Sequence, residues 1–174
     1  MPNYRRALVP GAVYFFTVVT CRRKPLLASP SAVQTLRESI ATVRHILPFT
    51  INAWVVLPDH MHAIWVLPDG DSGYSTRWGR IKAEFTRCSG IQHISGRGLH
   101  ADVWQPRFRE HLIRNERDAA AHMDFLHFNP VKHGLVTRVQ DWPYSSFHRY
   151  VREGLYPADW GGSEPAFPST PIGE

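Results

Sequence analysis

Two cysteines, Cys21 and Cys88, in a chain of 174 residues are too few for a disulfide framework, and their spacing matches no metal-binding pattern. That scarcity fits a reducing cytoplasm. Long apolar runs are missing as well, since no stretch approaches the roughly 18 residues of a membrane span. The start, Met-Pro-Asn-Tyr-Arg-Arg-Ala-Leu-Val-Pro-Gly, lacks the apolar centre of a secretion signal. Both shortages point to an intracellular protein. Acidic residues are few, 15 against 20 Lys and Arg, which leaves a net charge of +5 and an isoelectric point near 9.6. Such a balance favours polyanionic partners, nucleic acid first. The remaining composition is ordinary, 43% hydrophobic and 20% charged, and suits one domain able to build its own core. Residues 1–156 are expected to form that domain, followed at 157–174 by a Pro- and Gly-rich tail that is extended or disordered.

The most informative stretch runs Trp54-Val-Val-Leu-Pro-Asp-His-Met-His-Ala-Ile-Trp-Val-Leu. It reads as two apolar strands, 51–57 and 60–67, meeting at a Pro58-Asp59 corner. His60 and His62 open the second strand. Residues two apart share a strand face, about 7 Å apart at their Cα atoms, so both imidazoles can reach one divalent metal. His-x-His pairs also arise as ordinary surface or core residues. Position favours the metal here, because two imidazoles in an apolar strand need compensation for their burial.

Elsewhere, residues 12–21 are rich in β-branched and aromatic side chains and read as a buried first strand. Ser29-Pro30 is a helix start, and Val33, Leu36, Ile40, Val43 and Leu47 form one apolar stripe ended by Pro48. A second helix is predicted over 76–88, with Trp78, Ile81, Phe85 and Cys88 along one side and Arg77, Arg80, Lys82 and Arg87 on the rest. Residues 89–102 read as a mobile loop, 111–113 as a short strand. Asn115 caps a third helix from Glu116 to Phe128, stopped by Asn129-Pro130. A short helical piece ends near Val151. This order suggests an α+β fold, a ferredoxin-like antiparallel sheet with packed helices.

On the third helix, His122, Phe125 and Asn129 share a face. Were that helix to lie across the histidine strand, His60, His62 and Asn129 would make a three-ligand site open to phosphate and water. His127 is expected on the helix surface. The segments Trp54-Val-Val-Leu-Pro-Asp-His-Met-His, Trp104-Gln-Pro-Arg-Phe-Arg-Glu-His-Leu-Ile-Arg and Phe128-Asn-Pro-Val-Lys-His-Gly-Leu-Val resemble the REP-associated tyrosine transposases, of the single-tyrosine HUH superfamily. Tyr4-Arg5-Arg6 and Trp142-Pro-Tyr-Ser-Ser-Phe-His fit as well, so the likeness spans nearly the whole chain. The resemblance implies binding and cleavage of single-stranded DNA hairpins from repetitive extragenic palindromes. It further implies a divalent ion, Mg²⁺ or Mn²⁺, a 5′-phosphotyrosine intermediate, and a monomeric, nucleoid-associated bacterial protein. By position, His60 and His62 match the HUH histidines and Asn129 the third ligand.

The nucleophile departs from the pattern. Phe125 stands where the family has tyrosine, and no tyrosine occurs between Tyr74 and Tyr144. A phenyl ring has no oxygen to attack with, so covalent catalysis fails as written. An engineered Tyr-to-Phe change, a naturally inactive descendant, and a nucleophile borrowed from Tyr144 or Tyr150 compete as explanations. Two other function classes stay open: a non-catalytic DNA-binding regulator, and a metal-dependent nuclease using bound water. Phosphate-contact candidates are Arg5, Arg6, Arg22, Arg23, Lys24, Arg77, Arg80, Lys82 and Arg87, with Arg107, Arg109 and Arg114 nearer the presumed site. Glu110, His111 and His122 are candidates for its support. Trp54, Trp65, Trp78 and Trp104 are better suited to core packing than to base stacking.

Overall fold

The computed structural model of the protein describes residues 6–91 and 102–161. The order is β1 (Val13–Val19), α1 (Pro30–Ile46), β2 (Thr50–Val56), β3 (His60–Val66), α2 (Tyr74–Cys88), β4 (Arg109–Leu112), α3 (Glu116–Lys132) and α4 (Phe147–Arg152). The strands lie as β2-β3-β1-β4, every neighbouring pair antiparallel. This is the ferredoxin-like α+β sheet expected from the element order.

Cross-strand partners share a face, so the register of β1 on β3 sorts the molecule into layers. Tyr14, Phe16 and Val18 stand beside Trp65, Ala63 and Met61 on one side. There they meet α1 and α2 in the larger core, where Trp65 stacks on Trp78 at 4.2 Å between centroids. Phe15, Thr17 and Val19 stand beside Ile64, His62 and His60 on the other side. That side takes α3, whose Phe125 and Leu126 join Phe15, Val55 and Ile64 in a second core.

Local signals set the element ends. Ser29 Oγ accepts from Ala32 N at 3.2 Å, with Pro30 in the first helical position. Asn115 Oδ1 accepts from Asp118 N at 2.9 Å and caps α3. The Pro58-Asp59 corner closes with Leu57 N donating to His60 O at 2.8 Å. The edge of β2 is covered, as Val56 N donates to Tyr144 O and Ser146 N to Trp54 O, both at 2.9 Å. An open edge would invite pairing with another chain.

Several boundaries differ from expectation. α3 runs through Asn129 and Pro130 to Lys132. Pro130 lacks the N–H that Leu126 O would accept, but its ring is buried, and His133 N and Leu135 N still bond to Asn129 O and Pro130 O at 3.0 and 2.9 Å. Packing thus outweighs the local penalty. α2 starts at Tyr74, whose ring is fully buried, and Cys88 is exposed rather than part of the apolar side. After Tyr156 the chain continues in turns, with Trp160 against Tyr156 at 4.7 Å and Phe147 at 6.0 Å. Residues 92–101 of the expected loop and 162–174 of the expected tail lie outside the described residues. Among the described residues no helix is long and apolar enough to cross a membrane.

Candidate active site

His60 and His62 project from the start of β3 toward α3, both buried. Their rings stand 5.0 Å apart at 81°. Each has one nitrogen engaged within the protein. His60 Nδ1 lies 2.6 Å from Asp59 Oδ1, and His62 Nδ1 lies 2.9 Å from Thr17 Oγ1, its cross-strand neighbour. That leaves the Nε2 atoms for the α3 side. His60 Nε2 lies 3.4 Å from Asn129 Oδ1. His62 Nε2 and Asn129 Nδ2 are buried without a hydrogen-bond partner. Buried polar atoms are rarely left so, because the desolvation cost goes unrecovered.

This donor set fits a divalent ion. Metal-bound histidines typically offer one nitrogen and donate the other N–H to a carboxylate or similar acceptor, as Asp59 allows here. Asn129 adds an amide oxygen, a hard donor of the kind Mg²⁺ and Mn²⁺ take. Both imidazoles must be neutral to ligate. Burial, then the nearby His60, His133 and Lys132, holds His62 well below the ordinary histidine range. Burial works to raise the Asp59 carboxyl, but its bonds to His60 and Arg23 prevail and hold it below the usual value.

Phe125 lies beside these groups. Its ring is 5.4 Å from that of His62 and 6.0 Å from that of Phe15. Lys132 Nζ sits 4.9 Å from its centroid, and the His133 ring is 5.0 Å from His60. Lys132 and His133 were absent from the sequence-derived set, although Lys132 follows Phe125 by two helical turns and so shares its face. Thr17 and Asp59 were also missed. Only cross-strand register brings Thr17 to His62, and no local periodicity carries that.

The other candidates separate. His111 and His122 meet at Asp118 on the α3 side of the sheet, next to Phe15. Glu110 faces the opposite layer, where it pairs with Arg6 at 3.1 Å, so support of the histidine pair is not its placement. His127 corrects the surface expectation: it is buried, and its Nε2 lies 2.9 Å from Ser146 Oγ. That contact ties α3 to the segment lining β2. Tyr150 donates its hydroxyl to Asn52 O at 2.6 Å on the β2 edge.

Arg77 and Lys82 are corrected as phosphate contacts. Arg77 is buried and donates to Asp71, Leu47 O and Pro48 O. Lys82 donates to Gln105 O at 2.8 Å, and burial, followed by Arg6, lowers its pKa to about 8. Both serve the larger core. Arg22, Lys24, Arg80, Arg107, Arg109 and Arg114 are exposed; Arg23 and Arg87 are exposed but pair with Asp59 and Glu84. Arg6 is partly buried over the Phe108 ring at 4.2 Å, and Arg5 lies outside the described residues. Trp65, Trp78 and Trp104 are core residues, while Trp54 lies beneath Arg37 at 4.7 Å.

Comparison with known proteins gives a consistent result. No family model matches the chain. A REP-associated tyrosine transposase of Escherichia coli (strain K12) is 50% identical over 163 residues, covering 93% of this chain and 92% of that protein. A Haemophilus influenzae (strain Rd) protein given the same description provisionally is 41% identical over 169 residues, covering 94% of this chain and 95% of its own. A solved REP-associated tyrosine transposase bound to a REP hairpin superposes with a TM-score of 0.83 at 49% identity, covering 96% of this chain and 95% of that one. With a relative half identical over nine-tenths of both lengths, this chain belongs to the REP-associated tyrosine transposases.

Proposed function

We propose that this transposase-family chain binds folded single-stranded DNA hairpins and presents a phosphate to the His60–His62–Asn129 site, but cannot form a covalent strand-transfer intermediate because position 125 is phenylalanine. The carrying observation is the Phe125 ring lying 5.4 Å from the His62 ring, next to two buried, unpartnered polar atoms. The relative solved with a REP hairpin supports the choice of ligand.

A divalent ion held by His60, His62 and Asn129 would withdraw charge from a phosphate and orient it for in-line attack. The chain's own residues do the rest. Asp59 and Thr17 fix the two imidazoles through their Nδ1 atoms. Burial keeps His62 neutral, as ligation requires. Phe15 packs edge-on to the ring at 125 and limits its rotation. Lys132 places an ammonium over that ring. In a tyrosine-bearing chain this positive charge would favour the phenolate, whose ordinary pKa near 10 leaves little ionised at neutral pH. Attack by that oxygen would give a 5′-phosphotyrosine link and a free 3′-hydroxyl, conserving the phosphodiester for rejoining. Phenylalanine supplies no such oxygen.

A gel assay of hairpin DNA carrying single-stranded flanks tests this. The chain as written should shift the hairpin and give no adduct resistant to denaturation. Phe125→Tyr should give such an adduct only with Mg²⁺ or Mn²⁺. Absence of metal-dependent adduct from Phe125→Tyr on a cleavable hairpin refutes the assignment of position 125. Strand cleavage by the Phe125 chain without adduct would instead identify a water nucleophile.

A further inference from the structure

His111, Asp118 and His122 converge on the α3 face of the sheet, apart from the histidine pair of β3. His111 stands on β4 opposite Phe15 of β1, and Asp118 and His122 lie one turn apart on α3. His111 Nε2 is 2.9 Å from Asp118 Oδ2, and His122 Nδ1 is 3.0 Å from Asp118 Oδ1. The rings of the two histidines stack at 4.3 Å and 16°. All three donor atoms lie within 4.8 Å of one another. The Phe15 ring separates the cluster from the first site, with centroids 5.3 Å from His62 and 4.9 Å from His122. Along α3, His122 precedes Asn129 by about 10 Å at the usual rise per residue.

We propose that His111, Asp118 and His122 form a second divalent-metal site, selective for Zn²⁺ and similar imidazole-preferring ions, that staples β4 to the first half of α3. Two imidazole nitrogens and one carboxylate oxygen are a donor set that Zn²⁺, Co²⁺ and Ni²⁺ take in preference to Mg²⁺. With bonds near 2.0–2.2 Å a tetrahedral ion sets its donors roughly 3.4 Å apart, so small side-chain rotations would bring these three atoms, now within 4.8 Å of one another, around an ion. The protonation of His122 and Asp118 suits it too. Burial holds His122 below the ordinary histidine range despite its contacts with Asp118. Burial also works to raise Asp118, but the bonds from His111 and Arg114 N prevail and keep it a carboxylate.

Ligation requires each ring to carry its N–H on the nitrogen turned away from Asp118, with the lone pair of the other nitrogen on the ion. His122 Nδ1 would thereby give up its 2.8 Å contact with Asp118 O. The Arg114 N–H, 2.9 Å from Asp118 Oδ2, can stay in place as an outer donor to the carboxylate. The His111 side chain is one-third exposed, so ions have an entry path and a fourth position remains for water. His122 is the third residue before Phe125, so an ion here would brace the turn of α3 that leads to the strand-transfer position.

The test uses the full chain and ZnCl₂, read by isothermal titration and, with CoCl₂, by visible absorption. The unaltered chain should bind two equivalents of Zn²⁺, and His111→Gln one. In a His60→Ala, His62→Ala background one equivalent should remain, and adding His111→Gln or Asp118→Asn should weaken it by at least about 100-fold. Zinc at a hundredfold excess over its Kd should raise the melting midpoint of that background by roughly 5–10 °C. In that background, an equivalent that survives His111→Gln with unchanged affinity overturns the proposal. So does a background that takes up no Zn²⁺ at micromolar concentration while remaining folded by circular dichroism. Should that background fail to fold, equal Zn²⁺ stoichiometry in the unaltered chain and His111→Gln overturns it alone. Failure here leaves the adduct experiment untouched, because that experiment reads only position 125.

Discussion

Thr17 shows how much of this site rests on residues that would not themselves touch DNA or metal. Its Oγ1 lies 2.9 Å from His62 Nδ1 in a buried setting and orients the ring so that Nε2 faces α3. Replacing it with valine keeps the shape of the strand but removes the hydrogen-bond partner. Outer partners of this kind typically cost 10–100-fold in metal affinity when lost. Thr17→Val should therefore weaken Mn²⁺ binding by about 10–100-fold, measured by isothermal titration, with the melting point of the metal-free chain moved far less. Unchanged Mn²⁺ affinity would show that the ring is held by packing against Phe15 alone. The histidines were legible as sequence because they break an apolar run. Thr17 was not, since nothing local distinguishes it from any other strand threonine.

At the scale of elements, the contrast is between signals that act within a few residues and those that act across the sheet. The Ser29-Pro30 start, the Asn115 cap and the Pro58-Asp59 corner were readable because each satisfies backbone groups close by in sequence. The passage of α3 through Pro130 was not, since its support comes from burial of the ring. The basic side of α2 was misread for the same reason. Arg77 looks like a solvent-facing cation by spacing, yet reaches back to the end of α1, donating to Leu47 O at 3.3 Å and Pro48 O at 2.9 Å. It also pairs with Asp71, whose side chain is 36% exposed and gains correspondingly little from the pairing. Arg77→Met should thus destabilise mainly through the two orphaned carbonyls, by about 2–3 kcal/mol. Urea denaturation checks this, and hairpin affinity in the folded variant should be unchanged. A loss of DNA affinity without loss of stability would return Arg77 to the phosphate contacts.

Over the whole molecule, the net charge of +5 and isoelectric point near 9.6 say little about where stability is greatest; buried titrating groups decide that. His62, His122 and His127 are all held below the ordinary histidine range by burial, His127 to about 3, with Arg149 and His148 adding repulsion. In the unfolded chain these rings protonate near 6.5, so below that pH the unfolded state binds more protons than the native one. Stability must then fall as pH falls. The His127 contribution is fully present above about 6.5 and is lost progressively towards 3. Asp59, Asp71 and Asp118 act in the same direction at lower pH, since each is held below 3.8 in the fold. Lys82, lowered to about 8, adds a further rise between there and its ordinary value. Tyr74, raised by burial to about 12, turns the curve down above 10. The native state should accordingly be firmest on the alkaline side of neutrality and weaken from pH 6.5 downward. Urea midpoints measured without metal at pH 7.5, 6 and 5 should decline in that order. His127→Gln, which can keep a hydrogen bond to Ser146, should lower stability at pH 7.5 and flatten the decline. A chain equally stable at pH 7.5 and 5 would mean that these rings are hydrated in solution, and the tight seating of α3 on the sheet would have to be given up.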